Sequence, residues 1–474
     1  MKKKRIPLAL LFLIFGNQAA WAAPTDPFKS FPSADIGILR LEREVWVEKD
    51  GSHRETIRET RKLLNERGKE HYSEVQWPYE ADTQTVSIFF ANTVDAEGRV
   101  IPVKESAIKD GTPYADYPAY DRTKVKTFSF SGTEPGVITD YALEVKSKKG
   151  MMDRDFGDSF LLHSIQPAAE IRYTLHLPKE KKIKFRLLNP DPAIPVHFSS
   201  REDGGNLSYS WETRNLGYLP QEERMPNWED FLPRLLLSTA DSWESCAAWF
   251  LEKNKGRSDP DPATKALALG LTRGLTSERE KAKKIYLWVI RNIRYVSVSM
   301  GDAGYEAQNS GEVLKNRYGD CKDGSTLLLA LLDSIGIKAH YALLSTNDEA
   351  RVEEELPSLQ QFNHCIVAAR LEGKLTFFDS VGKNTNFGET PEMDQGVRAL
   401  VLDPKKPYFA SIPEAVGEDF EEKTSMIRLF PTGGLVAEVA CRFGGETESG
   451  QREFYGERND EEVKTSFQEE ALQS

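Results

Sequence analysis

The sequence predicts an α+β protein of several domains: an antiparallel β-sandwich-like domain, then a mixed helix-and-strand core, then the start of a further β domain. Three observations predict it. From about Asp35 to Ser210, apolar and polar residues alternate with period two, punctuated by Gly, Pro, Asn and Asp. Around Trp228 the spacing changes to three and four, the mark of helices with one apolar face. From Met426 strand patterns resume, with Thr432-Gly433-Gly434 as a turn, and end at Ser474 in a polar, Glu-rich run. The boundaries that follow are a leader at 1–22, a β-rich domain at 30–215, a helical connector at 216–275, the core at 276–410 and an incomplete C-terminal β domain at 420–474. At about 150 residues per domain, the length leaves room for roughly three.

The leader has the three parts of a secretory signal peptide. Met1–Arg5 carries four basic residues, Pro7–Phe15 is an apolar run, and Ala20-Trp21-Ala22 is a small-x-small cleavage site. The run is too short to span a bilayer. The expectation is a periplasmic or secreted protein cleaved near Ala22, touching the membrane only during export. Losing residues 1–22 takes the formal net charge from −12 to −16. Such an acidic surface repels phosphate backbones, so nucleic acid is excluded as a partner.

In the first domain the strand patterns are Ile38–Val47, Gln84–Phe90, Ile138–Val145 and Ile171–Leu177, with turns at Asp50-Gly51 and Glu97-Gly98. Pro113–Asp121, rich in Tyr and Pro, reads as an exposed loop whose rings pack locally. Helical spacing covers Ser242–Glu252 and Ala263–Leu271. Ser277-Glu278-Arg279-Glu280 is a capping box opening a helix with Ala282, Ile285, Tyr286, Val289, Ile290 and Ile293 on one face. Ser325–Ile335 reads as a buried helix closed by Gly336. Strand patterns follow at Ala339–Thr346, Asn363–Leu371 and Lys374–Ser380, with the acidic stretch Asn347–Glu355 as a solvated loop.

The four cysteines, Cys246, Cys321, Cys365 and Cys441, are widely spread. They show no CxxC or Cys/His ligand spacing, so neither a metal site nor a cofactor is predicted. Cys246 and Cys365 stand in ordinary core contexts, which argues against disulfides. Cys321 differs. It stands at the start of a long apolar helix, where unpaired N–H groups and the positive end of the helix dipole favour a thiolate. A nucleophilic cysteine also needs a base. His364 lies in Phe362–Val367, and Asp379 follows on the next strand beyond the turn Glu372-Gly373. If the hairpin is centred on that turn, paired residue numbers sum to about 745 and His364 and Asp379 share a sheet face as diagonal neighbours. There a carboxylate can hold an imidazole's tautomer and orientation. The same alternation turns Cys365 away from them.

Asn316-Arg317-Tyr318-Gly319-Asp320-Cys321-Lys322-Asp323, followed by Leu327–Leu332 and Gly336–Ala339, resembles the core motif of bacterial transglutaminase-like proteins. Asn363-His364 and Phe378-Asp379 are similar to that family's histidine and aspartate motifs, and the helix Ser277–Arg294 is similar too. The Asp35–Ser210 region resembles the β-rich domain of unknown function that often precedes this core in exported proteins. The resemblance implies a papain-like fold with Cys321 as nucleophile, His364 as base and acid, and Asp379 as its orienting partner, acting on protein or peptide amides of the cell envelope. It implies an oxyanion hole, for which Tyr295 is the first candidate donor and Gln308 the second. Glu306-Ala307-Gln308-Asn309 departs from the family's Gln-Pro-His-like stretch, so specificity does not carry over. A non-catalytic envelope binding or assembly module on the same scaffold stays open as the alternative. A cell-wall-type cysteine peptidase shares the triad logic but not the Gly-Asp-Cys-Lys-Asp context.

Overall fold

The computed structural model describes residues 26–113, 123–150, 152, 154–223, 225–296, 304–414, 419–456 and 458–473. The leader and most of the Pro113–Asp121 segment lie outside them.

The alternating region folds around one eight-stranded sheet. In spatial order its strands are His197–Asp203, Asn206–Leu216, Ala168–Pro178, Ile36–Val47, His53–Leu63, Ile138–Ser147, Gln84–Val94 and Val100–Pro102. Alternation buries one face of it. Val45, Val47, Tyr173, Leu175 and Trp211 pack against Leu235 and Leu237 of a three-stranded sheet, Lys184–Leu188, Arg234–Ser238 and Gly157–Leu161. Ile57, Tyr141, Leu143 and Val145 pack against Val75 and Phe128 of a second one, Glu74–Glu80, Thr123–Ser129 and Ile108–Gly111. The opposite face carries ion pairs such as Arg172 with Glu42 and Arg58 with Asp140. Both turns fall where Gly permits positive φ, at Gly51 and Gly98. Two features depart from the simple sandwich. A short helix, Glu66–Tyr72, interrupts the strands, and Ile36–Val47 pairs in parallel with Ala168–Pro178. The parallel pair forms because more than a hundred residues of intervening chain can return a strand in the same direction.

The helices Trp243–Lys253, Pro262–Leu271 and Glu278–Asn292 form where the three-and-four spacing places them. The six predicted apolar positions of the last are all buried. Its N-cap half forms, with Ser277 Oγ accepting from Glu280 N–H at 3.3 Å, while the hydroxyl donates to Glu372 of the later hairpin turn. The core sheet runs Lys374–Phe378, His364–Leu371, Ala339–Leu344, Arg398–Val401, Tyr408–Ser411, every neighbour antiparallel. Helix Cys321–Asp333 covers one face with Leu327, Leu328 and Leu331 on Cys365, Val367 and Phe378. Ile366, Ala368 and Phe377 face the other way.

The acidic stretch after Ala339–Leu344 is a largely exposed loop, as expected, with a role its composition does not show. It straps the core to the first domain. Ser238 Oγ donates to Pro357 O at 2.5 Å, Arg234 Nη2 to Arg351 O at 3.2 Å, and Asn227 Nδ2 to Asp348 O at 2.5 Å. Arg186 pairs with Glu353 and Glu355. Glu353 and Glu355 are matched by an arginine about 170 positions away, a match that only folding creates.

At the C-terminal end, Phe420–Leu429 and Leu435–Gly444 form a hairpin with Met426, Ile427, Leu429 and Leu435 exposed. The polar run that follows forms two helices, Gly445–Gly456 and Asp460–Gln473.

Candidate functional site

Cys321 is the first residue of its helix, which starts four residues before Ser325, where the apolar pattern alone opens it. Asp320 is the N-cap: its carboxylate accepts from the N–H groups of Lys322 and Asp323, both at 3.1 Å. The Asp323 side chain reaches back to Asp320 N–H at 3.3 Å, closing a capping box. Asp-x-x-Asp at 320–323 was a legible signal for this start. Gln308 then ties the box to the preceding loop, donating to Asp323 from its backbone at 2.6 Å and from Nε2 at 2.8 Å.

Beneath the box lies a buried ion pair. Lys322 is 2 % exposed, and Nζ bonds Asp320 Oδ2. Burial raises the Asp320 pKa to about 6, against the pull of Lys322. Burial opposes the Lys322 charge, yet Asp320 and Asp323 outweigh it and leave that ammonium stabilised.

His364 opens its strand, 3 % exposed. The Glu372-Gly373 turn has φ of +50° and +84°, and the hairpin pairs Val367 with Phe378 and Leu371 with Lys374, the register centred on that turn. His364 and Asp379 lie just beyond the paired stretch, at the same end of the two strands. His364 Nε2 lies 3.3 Å from Asp379 Oδ2, off the hydrogen-bonding line, so the approach is a charge contact. Val381 N–H holds the other carboxylate oxygen at 2.9 Å. Burial pushes the His364 pKa down, but the Asp379 charge and the neighbouring Cys321 together carry it well above the usual value.

Cys365 leaves the face of His364, as alternation requires, but turns toward the helix that carries Cys321 and shares its core cluster. Burial raises the Cys365 thiol pKa well above normal, with Cys321 adding to it. Cys246 is pushed up to about 12, mainly by burial. All four cysteines are unpaired thiols, and Cys441 alone of them is exposed.

Of the two candidate oxyanion donors, Tyr295 lies on the short strand Arg294–Tyr295 paired with Tyr318-Gly319, half-exposed beside the cysteine motif. Gln308 has its amide on Asp323. Asp394 was not legible in the sequence. It ends the short turn Glu392–Asp394, is fully buried, and brings Oδ1 to 3.8 Å from His364 Nε2. No periodicity or motif marks Pro391-Glu392-Met393-Asp394. Among the described residues, His364, Asp379 and Asp394 form the one trio of metal-capable side chains whose ligand atoms lie within 4.8 Å of one another. Its imidazole already faces a carboxylate, so the contact reads as an ion pair with a second carboxyl behind it.

A thiol at a helix start, an imidazole on the adjoining sheet and a carboxylate behind it meet in an α+β core. Residues 265–379 match the model of the transglutaminase-like superfamily, and residues 49–219 match a domain of unknown function with solved structure, DUF3857. The chain carries a transglutaminase-like core preceded by that β-rich domain. A candidate protease from Parabacteroides distasonis ATCC 8503 has a similar fold, with a TM-score of 0.69 at 19 % identity over 80 % of this chain and 72 % of that one. A candidate cysteine protease from Cytophaga hutchinsonii matches over 86 % of this chain and 92 % of its own, at 11 % identity and a TM-score of only 0.22. No curated protein matches.

Proposed function

We propose that this chain is a cysteine acyl-transfer enzyme of the cell envelope, with Cys321 as nucleophile, His364 as acid and base, and Asp379 as the carboxylate that orients the imidazole. The observation that carries the reading is the approach of His364 to Asp379 at 3.3 Å next to Cys321, which opens its helix. Cys321 as thiolate attacks a protein or peptide carboxamide. The oxyanion forms against the Cys321 N–H, since Asp320 takes up the next two N–H groups of the turn. Tyr295 is the favoured second donor, because the Gln308 amide is bonded to Asp323. His364 then gives its proton to the departing ammonia or amine, and water or a second amine, deprotonated by His364, releases the acyl group. The leader-like residues 1–22 support export.

Cys321 is only 2 % exposed. That burial favours the second reading, an envelope binding module on the same scaffold. Alkylation separates the two, with the exposed Cys441 as internal reference. The enzymatic reading expects iodoacetamide to modify Cys321 faster than Cys441 and His364→Ala to slow Cys321 alone. If Cys321 reacts more slowly than Cys441 and ignores His364→Ala, the scaffold reading stands. Trapping the acyl group on Cys321 after incubation with envelope peptides, with Cys321→Ala as control, then identifies the substrate.

A further inference from the structure

We infer that Asp394 is a positioning residue of the Cys321–His364–Asp379 site, a second carboxyl that hydrogen-bonds the free oxygen of Asp379 and fixes that carboxylate on the imidazole. The inference rests on the catalytic reading of the site.

Asp379 spends Oδ1 on Val381 N–H, while Oδ2 faces His364 without a hydrogen bond. Both Asp394 oxygens are buried without a partner as well. A buried carboxylate left so is costly, and two side by side repel. One imidazolium neutralises one of them. A proton on the other removes the second charge and lets an O–H donate to the orphaned oxygen, which settles both deficits. The proton belongs on Asp394, since Asp379 is closer to the imidazolium, at 3.3 Å against 3.8 Å, and already accepts from a backbone N–H. Burial, then the Asp379 charge, hold the Asp394 carboxyl well above the usual carboxylate range, against the pull of His364.

The groups facing this carboxyl are His364 and Asp379 of the hairpin, Asp348 of the strap and Tyr286 of the helix Glu278–Asn292. Tyr286 points a buried hydroxyl without a hydrogen-bond partner, in a pocket closed by Phe378 and Phe387. The turn is pinned from outside: Asn347 donates from its backbone to Met393 O at 2.7 Å and from Nδ2 to Glu392 O at 2.6 Å. Asp394 is therefore set by the strap that docks on the first domain. As pH rises its ionisation adds a second negative charge beside the ring, and the imidazolium holds its proton longer.

The test uses the full chain, with the pH–rate profile of Cys321 alkylation referenced to Cys441. Asp394→Ala removes the donor and is expected to slow Cys321 about tenfold at pH 7, the worth of one hydrogen bond to a charged group. Asp394→Asn keeps an N–H donor and is expected to stay within about threefold. Because an amide cannot ionise, it also moves the upper inflection of the profile to lower pH. Rates and inflections unchanged in both variants overturn the inference, whatever happens to Tm. Should the alanine variant not fold, the inflection of the asparagine variant decides alone. If His364→Ala leaves Cys321 unaffected, the catalytic reading fails and this inference with it. If His364→Ala slows Cys321 and neither Asp394 variant does, the inference alone falls.

Discussion

Gly324 sits in the first turns of the helix that begins at Cys321, where alanine would ordinarily stabilise by about 1 kcal/mol. A Cβ there would lie 2.3 Å from Ser380 Oγ and 2.8 Å from Ser380 Cβ. The hydroxyl can rotate away; Ser380 Cβ cannot. It must recede by about 0.6 Å to reach an ordinary contact, and Ser380 is the chain neighbour of Asp379. Overpacking of this kind costs about 1–3 kcal/mol, so after the helix-propensity gain Gly324→Ala should lose about 0–2 kcal/mol. Its effect on the site should be far larger, because a misplacement of about 1 Å can cost on the order of a hundredfold. The expected signature is a Tm within a few degrees of wild type and a steep loss of Cys321 alkylation relative to Cys441. Ser380→Gly removes the clashing Cβ, so Gly324→Ala with Ser380→Gly should recover most of that loss. Wild-type alkylation in the single variant, or no recovery in the double, would refute the argument that this glycine seats the carboxylate.

Lys322→Met should destabilise by about 3–5 kcal/mol in denaturant titrations, because it leaves Asp320 charged and buried alone; adding Asp320→Asn should restore much of the loss. For His364 the folded state raises the pKa above the ordinary 6.5, so the folded protein binds more protons than the unfolded chain once pH exceeds that value. Its contribution is fully present below pH 6.5 and is lost as pH rises through the raised value, and His364→Gln should flatten the fall of Tm above pH 6.5. At the strap, Arg234→Ala should cost about 2 kcal/mol and speed amide exchange across residues 347–361, whereas Arg186→Ala, on a more exposed pair, should cost under about 1 kcal/mol. Equal effects from the two arginines would contradict the burial argument.

Most of this architecture is written in short-range chemistry. Alternation drew the large sheet, since a strand with one buried face must repeat every two residues. Spacing of three and four drew the helices, and Glu372-Gly373, able to take positive φ, fixed the hairpin register that brings His364 and Asp379 to the same end of their strands. Cys321 was legible as standing at a helix start, although the Asp320–Asp323 capping box opens the helix four residues before the apolar pattern alone does.

What the sequence could not carry is whatever depends on partners distant along the chain. The acidic run after Ala339–Leu344 has the composition of a solvated loop, and only the arginines and carbonyl partners that folding brings to it make it a strap. The parallel pairing of Ile36–Val47 needed the path of the chain between. Asp394 has no pattern of its own; a turn held by Asn347 delivers it to His364. By itself the sequence marked Cys321, His364 and Asp379 as candidates, because strand and helix periodicities act over a few residues. The tertiary structure alone decided what surrounds them: the lysine under the helix start, the second carboxyl behind the imidazole and the strap to the first domain. Buried charges are set by whichever neighbours folding brings close, and no local pattern records them.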